Sequence, residues 1–405
     1  MQFQSSENSM GDSSLSGDLK GFPQSDSHQE PRLDGLRILF AVESTFPGPG
    51  GAEAQALKLA VVMRDRGAYV EFVTPRVSAS QPLEEVFKDF TVKRVDYPHI
   101  RWIGPLFLMV GFARYLRANA ERFDAVHVHI TYLMAATAGF VRSKTGIPVT
   151  TKISGFYEFE GGVLDQSKKY SPLNFFLRRG LRQVDFVQAI SEQTREKLLA
   201  ADFRDKQICF IPNGVDVGVD PLPRQADDTH ILGYCGRLRE VKGVHVLFDA
   251  VAEILKRRPN EKIRVIIAGA GTSQEDLLAQ VDRLNIGEYV EWLGLIEDTQ
   301  SFFRSVDICV QPSFAEGLPN TVMEAMVEQK PVVASDIGGN NDLVTHGVTG
   351  LSFPAGDAVQ LADQLLYLID NHDVKNSLAL AGRQLIEERY DIEKVVTKLA
   401  ELYRD

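Results

Sequence analysis

Short apolar runs alternate along this chain with longer stretches whose apolar positions recur every three to four residues. "GLRILFAV", Gly35 to Val42, is apolar and of strand length. The Gly/Pro loop "FPGPGGAE" follows, and "AQALKLAVVMRDRG" then carries a helical period that stops at Gly67. "YVEFVTP" is the next strand-like run, so the opening predicts a βαβ unit. The alternation continues through "DAVHVHI", "YLMAATAGFVRSKTG", "IPVTTKI", "VDFVQAI", "SEQTREKLLAAD" and "QICFIP", with Ser191 placed to cap the helix of the fifth. Asn213 to Thr229 is turn-rich and holds two prolines, the texture of a linker. The pattern then restarts with "ILGYCGR", "GVHVLFDAVAEILKRRP", "IRVIIAGAG", "SQEDLLAQVDRL", "YVEWLG", "DTQSFFRS", "VDICVQP" and "PVVAS". It ends in three helical stretches, the last being "IEKVVTKLAELY".

This rhythm predicts an α/β protein of two doubly wound, mostly parallel domains. Ligands on such sheets sit at the carboxyl ends of strands, near helix N-termini. Two such domains facing each other make a deep cleft. The expected division is 1–34 as a disordered extension, 35–215 and 216–388 as the two domains, and 389–405 as a final helix. The extension is expected because the first residues are rich in Ser, Asp, Gly and Gln, with neither an apolar core nor a leading basic cluster of the kind a secretory signal needs.

Composition changes this picture little. The 405 residues are 44% apolar and 24% charged, ordinary for a soluble enzyme of two domains. A net charge of −11 without a long basic run argues against broad binding to nucleic acid. Cys209, Cys235 and Cys309 sit in apolar runs with no framework spacing and read as reduced, buried thiols. No run of about 18 apolar residues exists to span a membrane. "WIGPLFLMVGFARYLR", Trp102 to Arg117, reads first as a buried helix. Its alternative is a helix that touches lipid or a lipid-linked substrate, with Arg101, Arg114 and Arg117 near head groups.

Four stretches carry candidate chemistry. In "FAEGLPNTVMEAM", Pro319 stands at the first helical position, so the amides of Asn320, Thr321 and Val322 form an anion site with the helix dipole. Val322, Ala325, Met326 and Gln329 share one face of that helix, and Glu324 falls on the other. Glu316 lies in the loop. Carboxylates accept hydrogen bonds from paired hydroxyls, which suits sugars and ribose, although the pair taken alone slightly favours a solvated helix face with a loop acid. In "CGRLREVKGVHVLFDA", Arg237 and Lys242 sit between a strand end and a helix starting near Gly243, and two cations there suit a diphosphate. In "FPGPGGAEAQ", Gly50 and Gly51 permit a close backbone approach, but the loop is neither G-x-G-x-x-G nor a Walker sequence. In "HVHI", His127 and His129 share one strand face. A satisfied histidine is the bland reading there, and His129, nearer the strand end, is the one to face a substrate. No D-x-D occurs in the chain.

Taken in order, these elements resemble the retaining glycosyltransferases of family four, with the GT-B architecture, from about Leu36 to the C-terminus. "PSFAEGLPNTVMEAMVEQKPVVASDIGG" resembles the family's E-x7-E element and "GRLREVKGVHVLFDA" its phosphate loop. "PGPGGAEAQALKLA" resembles its first glycine loop and "FIPNGVD" its domain-crossing strand. The resemblance implies two Rossmann-like domains facing an interdomain cleft, with the C-terminal helix crossing back. It implies that Arg237 and Lys242 bind the donor diphosphate and stabilise the leaving nucleotide. Gly236 belongs to the same loop. Glu316 would contact donor-sugar hydroxyls, and Glu324 the ribose. The backbone of Gly317, Leu318, Pro319, Asn320 and Thr321 would meet sugar and phosphates, Gly51 with Gly50 would lie near the phosphates, and Leu295 and Ile296 would meet the base. The two cations would do what a metal does elsewhere, so no metal or other cofactor is expected; the nucleotide sugar is a substrate.

Many family members carry a histidine in the turn after the strand matching "VTTKISG"; Ser154 or a neighbour occupies that place in this chain, and His129 is the candidate substitute. The resulting expectation is transfer of a hexose from a nucleotide sugar, UDP-linked, to a glycan or lipid-linked glycan acceptor by a cytoplasmic enzyme. If the Trp102 segment touches lipid, that enzyme sits peripherally at the inner membrane face. A nucleotide-sugar epimerase of the same fold and a non-catalytic GT-B binding module are the alternatives. The latter predicts damaged donor residues, and Arg237, Lys242, Glu316 and Glu324 are all present. In "GFYEFEGG", Phe156, Tyr157 and Phe159 either stack on acceptor sugars or pack.

Overall fold

A computed structural model describes residues 31–404, apart from 49, 102, 156, 157, 219 and 223–227. The extension before residue 31, the Trp102 side chain and the Phe156–Tyr157 pair thus lie outside the described residues.

The first sheet has eight strands: β1 (Arg37–Val42), β2 (Tyr69–Pro75), β3 (Glu84–Phe87), β4 (Phe90–Val95), β5 (Ala125–His129), β6 (Val149–Lys152), β7 (Phe186–Ala189) and β8 (Ile208–Phe210). Their order is β3-β4-β2-β1-β5-β6-β7-β8, and β3 against β4 is the antiparallel pair. Helices α2 (Gly104–Ala118), α3 (Leu133–Thr145) and α4 (Pro172–Leu181) cover one face; α1 (Gly51–Asp65) lies on the other, and α5 (Glu192–Ala200) follows β7. Burial on both sides explains why β1 reads, after Arg37, as a continuous apolar run rather than an alternating one. Ser191 caps α5 as expected, in a capping box with Thr194. The β3–β4 hairpin and α4 were not anticipated.

The second sheet has six parallel strands: β9 (His230–Cys235), β10 (Ile263–Ala268), β11 (Val290–Gly294), β12 (Ile308–Gln311), β13 (Val332–Ser335) and β14 (Leu351–Phe353), ordered β11-β10-β9-β12-β13-β14. Between them run α6 (Val244–Arg257), α7 (Gln274–Leu284), α8 (Thr299–Ser305), α9 (Asn320–Val327) and α10 (Gly338–Asn341), followed by α11 (Ala358–Asp370) and α12 (His372–Arg389). In α6, Val244, Leu247, Phe248, Val251 and Ile254 recur at helical spacing and are all buried, each stabilising the domain by roughly 1.5–3 kcal/mol.

The last helix, α13 (Ile392–Arg404), returns to the first domain. Its Val395, Val396, Leu399 and Tyr403 pack with Ile38, Phe40 and Leu59 in one core cluster. The two chain crossings lie side by side: Val215 N donates to Tyr390 O at 2.9 Å, and Ile392 N donates to Val215 O at 3.0 Å. A Cβ on Gly214 would stand 2.7 Å from the Ile392 Cα, so this approach requires glycine. Cys235 and Cys309 are buried and Cys209 is partly exposed; burial pushes the Cys209 and Cys235 thiols up to about 12.

Candidate active site

In each sheet the strand order reverses at one place, between β1 and β5 and between β9 and β12, and the carboxyl ends of strands at such a point are where ligands bind. In the second domain the loops after β9 and β12 are stitched together there. Gly243 sits at φ +65°, and a Cβ on it would lie 2.0 Å from Pro312 O. Phe314 N donates to Val241 O at 2.8 Å, and the Phe314 ring stacks on His245.

The stitching delivers Lys242 to Glu316, with Nζ 2.7 Å from Oε1 and 2.8 Å from Oε2. Glu316 is 7% exposed. Its Oε1 also accepts from Gln311 Nε2 at 2.6 Å and Ser313 Oγ at 2.7 Å. A carboxylate taken out of water needs such donors, and these hold it in one orientation.

Pro319 is the N-cap of α9 rather than its first helical residue, and the helix begins at Asn320. The Val322 amide is therefore used within the turn, donating to Pro319 O at 3.2 Å, which corrects the expectation that it faces a ligand. Among the described residues the amides of Asn320 and Thr321 have no backbone acceptor. The helix is buried more widely than its wheel suggests, since Met323 and Val327 join Val322, Ala325 and Met326 in the core.

The first domain meets this site from across the cleft. Gly50 caps α1, and a Cβ there would stand 2.7 Å from Arg237 Nη2 and 1.8 Å from Glu53 Oε2. The guanidinium of Arg237 thus lies against the glycine loop. A Cβ on Gly51 would come to 3.5 Å from Asn320 Nδ2. A Cβ on Gly317 would stand 3.0 Å from the Gly155 Cα, so the Ser154–Gly155 turn rests on the Glu316–Gly317 loop. Gly50, Gly51, Ser154, Gly236, Arg237, Lys242 and Glu316 through Glu324 are therefore brought together, with Leu318 buried as packing. Leu295 is exposed and Ile296 half-buried after β11, the edge strand on the far side of β10.

Several residues of the site carry no local signal in the sequence. Lys58 on α1 pairs with Glu324, Nζ to Oε1 at 2.6 Å, across the cleft. Gln55 Nε2 donates to Gly214 O at 2.9 Å and approaches Asn320 Oδ1 at 3.3 Å, and Asn213 Nδ2 donates to Asn320 Oδ1 at 2.8 Å. Ser154 N and Oγ both donate to Glu158 Oε1, at 2.8 and 2.6 Å. Burial raises the Glu158 carboxyl above the usual carboxylate range, and its Oε2 has no partner among the described residues. Phe159 is buried in the core beneath Lys197, so it packs rather than offering a face to a sugar.

The two histidines share a face as expected, their rings stacked 4.5 Å apart. His129 is not a satisfied strand-end histidine: it is 1% exposed, and neither ring nitrogen has a partner among the described residues. His127 Nδ1 meets the Tyr403 hydroxyl of α13. Lys152 lies beside His129 in the sheet, buried, its Nζ without a partner among the described residues. Burial pushes Lys152 down to about 7 and His127 to about 3, and it pulls His129 well below the usual imidazole range with help from His127 and Lys152.

Residues 49–219 match the family model described as Glycosyltransferase Family 4, and residues 229–371 match that described as Glycosyl transferases group 1. The phosphatidyl-myo-inositol mannosyltransferase of Mycobacterium leprae is 27% identical over 382 residues, spanning 91% of this chain and 96% of its own. The N-acetyl-alpha-D-glucosaminyl L-malate synthase of Bacillus anthracis is 24% identical over 378 residues, spanning 89% and 95%. Among solved structures, HepE of Anabaena in complex with UDP superposes with a TM-score of 0.74 at 21% identity, over 91% of this chain and 100% of that one. Sucrose-phosphate synthase from Thermosynechococcus elongatus superposes with a TM-score of 0.76 at 20% identity, over 91% and 98%. The two family models divide the chain between them at its turn-rich crossing and the superpositions extend over both sheets, so the chain belongs to the glycosyltransferases of family 4 and is built on the GT-B architecture.

Proposed function

We propose that this glycosyltransferase moves a hexosyl group, with retention, from a UDP-linked donor to a glycan or lipid-linked glycan at the inner membrane face. The observation that carries the reading is the cationic pair at the second switch point, Lys242 pinned on Glu316 and Arg237 lying against the Gly50 turn. Two fixed cations beside free helix amides suit a diphosphate, and they stabilise the charge that develops on the leaving nucleotide. The UDP held by the Anabaena neighbour and the acceptor in the mycobacterial relative's name support the same assignment.

In this reading the acceptor hydroxyl oxygen bonds to the anomeric carbon on the face from which the bond to the β-phosphate oxygen breaks. Its proton passes to that phosphate, and UDP departs without any metal. Glu316 orients donor hydroxyls through Oε2, whose one hydrogen-bond donor among the described residues is Lys242. Glu324 takes the ribose hydroxyls, which compete with Lys58 for its carboxylate. Lys58→Met therefore tightens nucleotide binding by about two- to fivefold, consistent with a half-exposed pair worth about 1 kcal/mol at most. The effect disappears in a Glu324→Ala background, and calorimetric titration of the two pairs of proteins checks it.

The test of the reading is a thermal melt against a panel of nucleotides and nucleotide sugars. At about 100 times its Kd a ligand adds about 2.7 kcal/mol to the native state, several degrees in Tm. One uridine nucleotide should raise the wild-type Tm, and Glu324→Ala and Arg237→Ala should each lose the shift. A panel without effect at millimolar concentrations overturns the assignment and favours the non-catalytic module.

A further inference from the structure

The first domain carries a surface that the donor site does not use. On α2 the buried side is Leu108, Met109, Phe112 and Leu116. The opposite side is exposed and apolar over its first turns, with Leu106 at 59% and Phe107 and Val110 beside it, and it ends in Arg114 and Arg117. α4 repeats the arrangement. Leu173, Phe175 at 66% and Phe176 are exposed at its start, behind the exposed Tyr170, and Arg179 follows. α3 lies between the two helices, and its Phe140 packs on Phe176 with ring centres 4.7 Å apart. The first expectation for the Trp102–Arg117 segment, a buried helix, is thus corrected: the helix Gly104–Ala118 is amphipathic, with a bare apolar stripe.

Charge separates this surface from the rest of the molecule. Residues 97–120, 131–146 and 166–184 hold ten of the chain's 44 Lys and Arg and none of its 55 Asp and Glu. Arg142 is paired with Asp185, and Arg178 is turned inward onto backbone carbonyls. The other eight are exposed. A molecule of net charge −11 has therefore cleared all acids from these helices and placed cations around their exposed aromatic and aliphatic side chains.

We propose that the α2–α3–α4 face docks on a bilayer containing anionic phospholipid. Apolar side chains on the N-terminal turns would enter the acyl boundary, and the cations toward the C-terminal ends would meet phosphate head groups. α2 follows the end of β4, and α3 and α4 follow those of β5 and β6, so their first turns lie at the sheet edge that bears Gly50 and Ser154. The face thereby opens the cleft toward the lipid surface, which names the acceptor as lipid-linked; that last step rests on the transferase reading above, whereas the docking itself does not.

The experiment is co-sedimentation of the full chain with vesicles of phosphatidylcholine alone and with about one-third phosphatidylglycerol, at low and at physiological salt. The wild type should bind the anionic vesicles at least tenfold better than the neutral ones, and more weakly as salt rises. Phe107→Ser/Phe175→Ser and, separately, Arg114→Glu/Arg117→Glu should each lose at least tenfold. Both variants should keep the wild-type Tm and the UDP-induced shift, which separates failure of docking from failure of the donor site or of folding. Equal binding to both vesicle types, no binding at low salt, or variants that bind as the wild type does would overturn the proposal. So would concentration-dependent dimerisation without lipid that the aromatic variant abolishes, since it would assign the face to a second copy of the chain.

Discussion

Lys242→Ala is expected to lower kcat by about 10²- to 10³-fold, the usual cost of removing one preorganised group that stabilises charge in the transition state. The same change should destabilise the fold. It leaves Glu316, 7% exposed, with Gln311 and Ser313 as its remaining donors. Breaking a fully buried ion pair from one side costs about 3–5 kcal/mol, and the surviving donors and the partial exposure of Lys242 reduce this to roughly 1–3 kcal/mol. Activity and stability can then be separated by a second substitution. Lys242→Met with Glu316→Gln removes both charges together, so most of the stability returns while turnover stays low. Donor-dependent nucleotide release and urea unfolding of the three proteins check this. A Lys242→Ala protein that turns over within about threefold of the wild type, yet unfolds more easily, would reduce the pair to a structural clamp.

The alternation of strands and helices could be read along the chain because central strands buried on both faces carry unbroken apolar runs, as in Ile38–Val42 of β1 and Val265–Ala268 of β10. Elements that escaped were those whose environment breaks that rule. β3 is an exposed edge strand with half its residues charged, and its turn to β4 uses Lys88 and Asp89 at φ +48° and +67° without a glycine to announce it. α4 carries aromatic residues on its outer side, so "PLNFFLRRGL" has no clean amphipathic stripe pointing inward.

For the site, residue types in loops could be read, but partners could not. Nothing local ties Lys242 to Glu316, 74 positions away, or Lys58 to Glu324, 266 positions away. Those contacts follow from where the two switch points place the loops, which depends on strand order rather than on periodicity. Glu158 was passed over for the aromatic residues around it, although an acid set directly between Tyr157 and Phe159 is itself a signal that something must hold it.

The buried amine of Lys152 should make stability depend on pH in a way that a single substitution removes. The group titrates near the ordinary lysine value of 10.5 in the unfolded chain and at about 7 in the fold, because burial disfavours its charged form. Between those values the unfolded chain holds the proton and the folded chain does not, so stability rises with pH across this window, by about 1.4 kcal/mol per pH unit from this group. Below about pH 7 both states are protonated and the full cost of burying the charge, up to roughly 5 kcal/mol, is present. Above about pH 10.5 neither state is charged and the cost vanishes. Its described neighbours offer no relief: His129 and Gln188 flank Lys152 in the sheet, His127 completes this buried polar stripe with Tyr403 against its ring, and none of the four is an acid. His127 and His129, also held neutral by burial, add a cost of the same sign as pH falls below the usual imidazole range. Lys152→Met fills the same space without the amine. Its expected result is a more stable protein by a few kcal/mol near neutral pH, an advantage that shrinks steadily as the buffer is taken toward about pH 10. Urea unfolding of both proteins at several pH values reads the difference directly, and parallel curves would mean that the amine finds a partner in solution. If the variant is more stable but slower, the buried amine is maintained against its cost by the work of the cleft above it, and the stripe beneath α13 belongs to the active site rather than to the core.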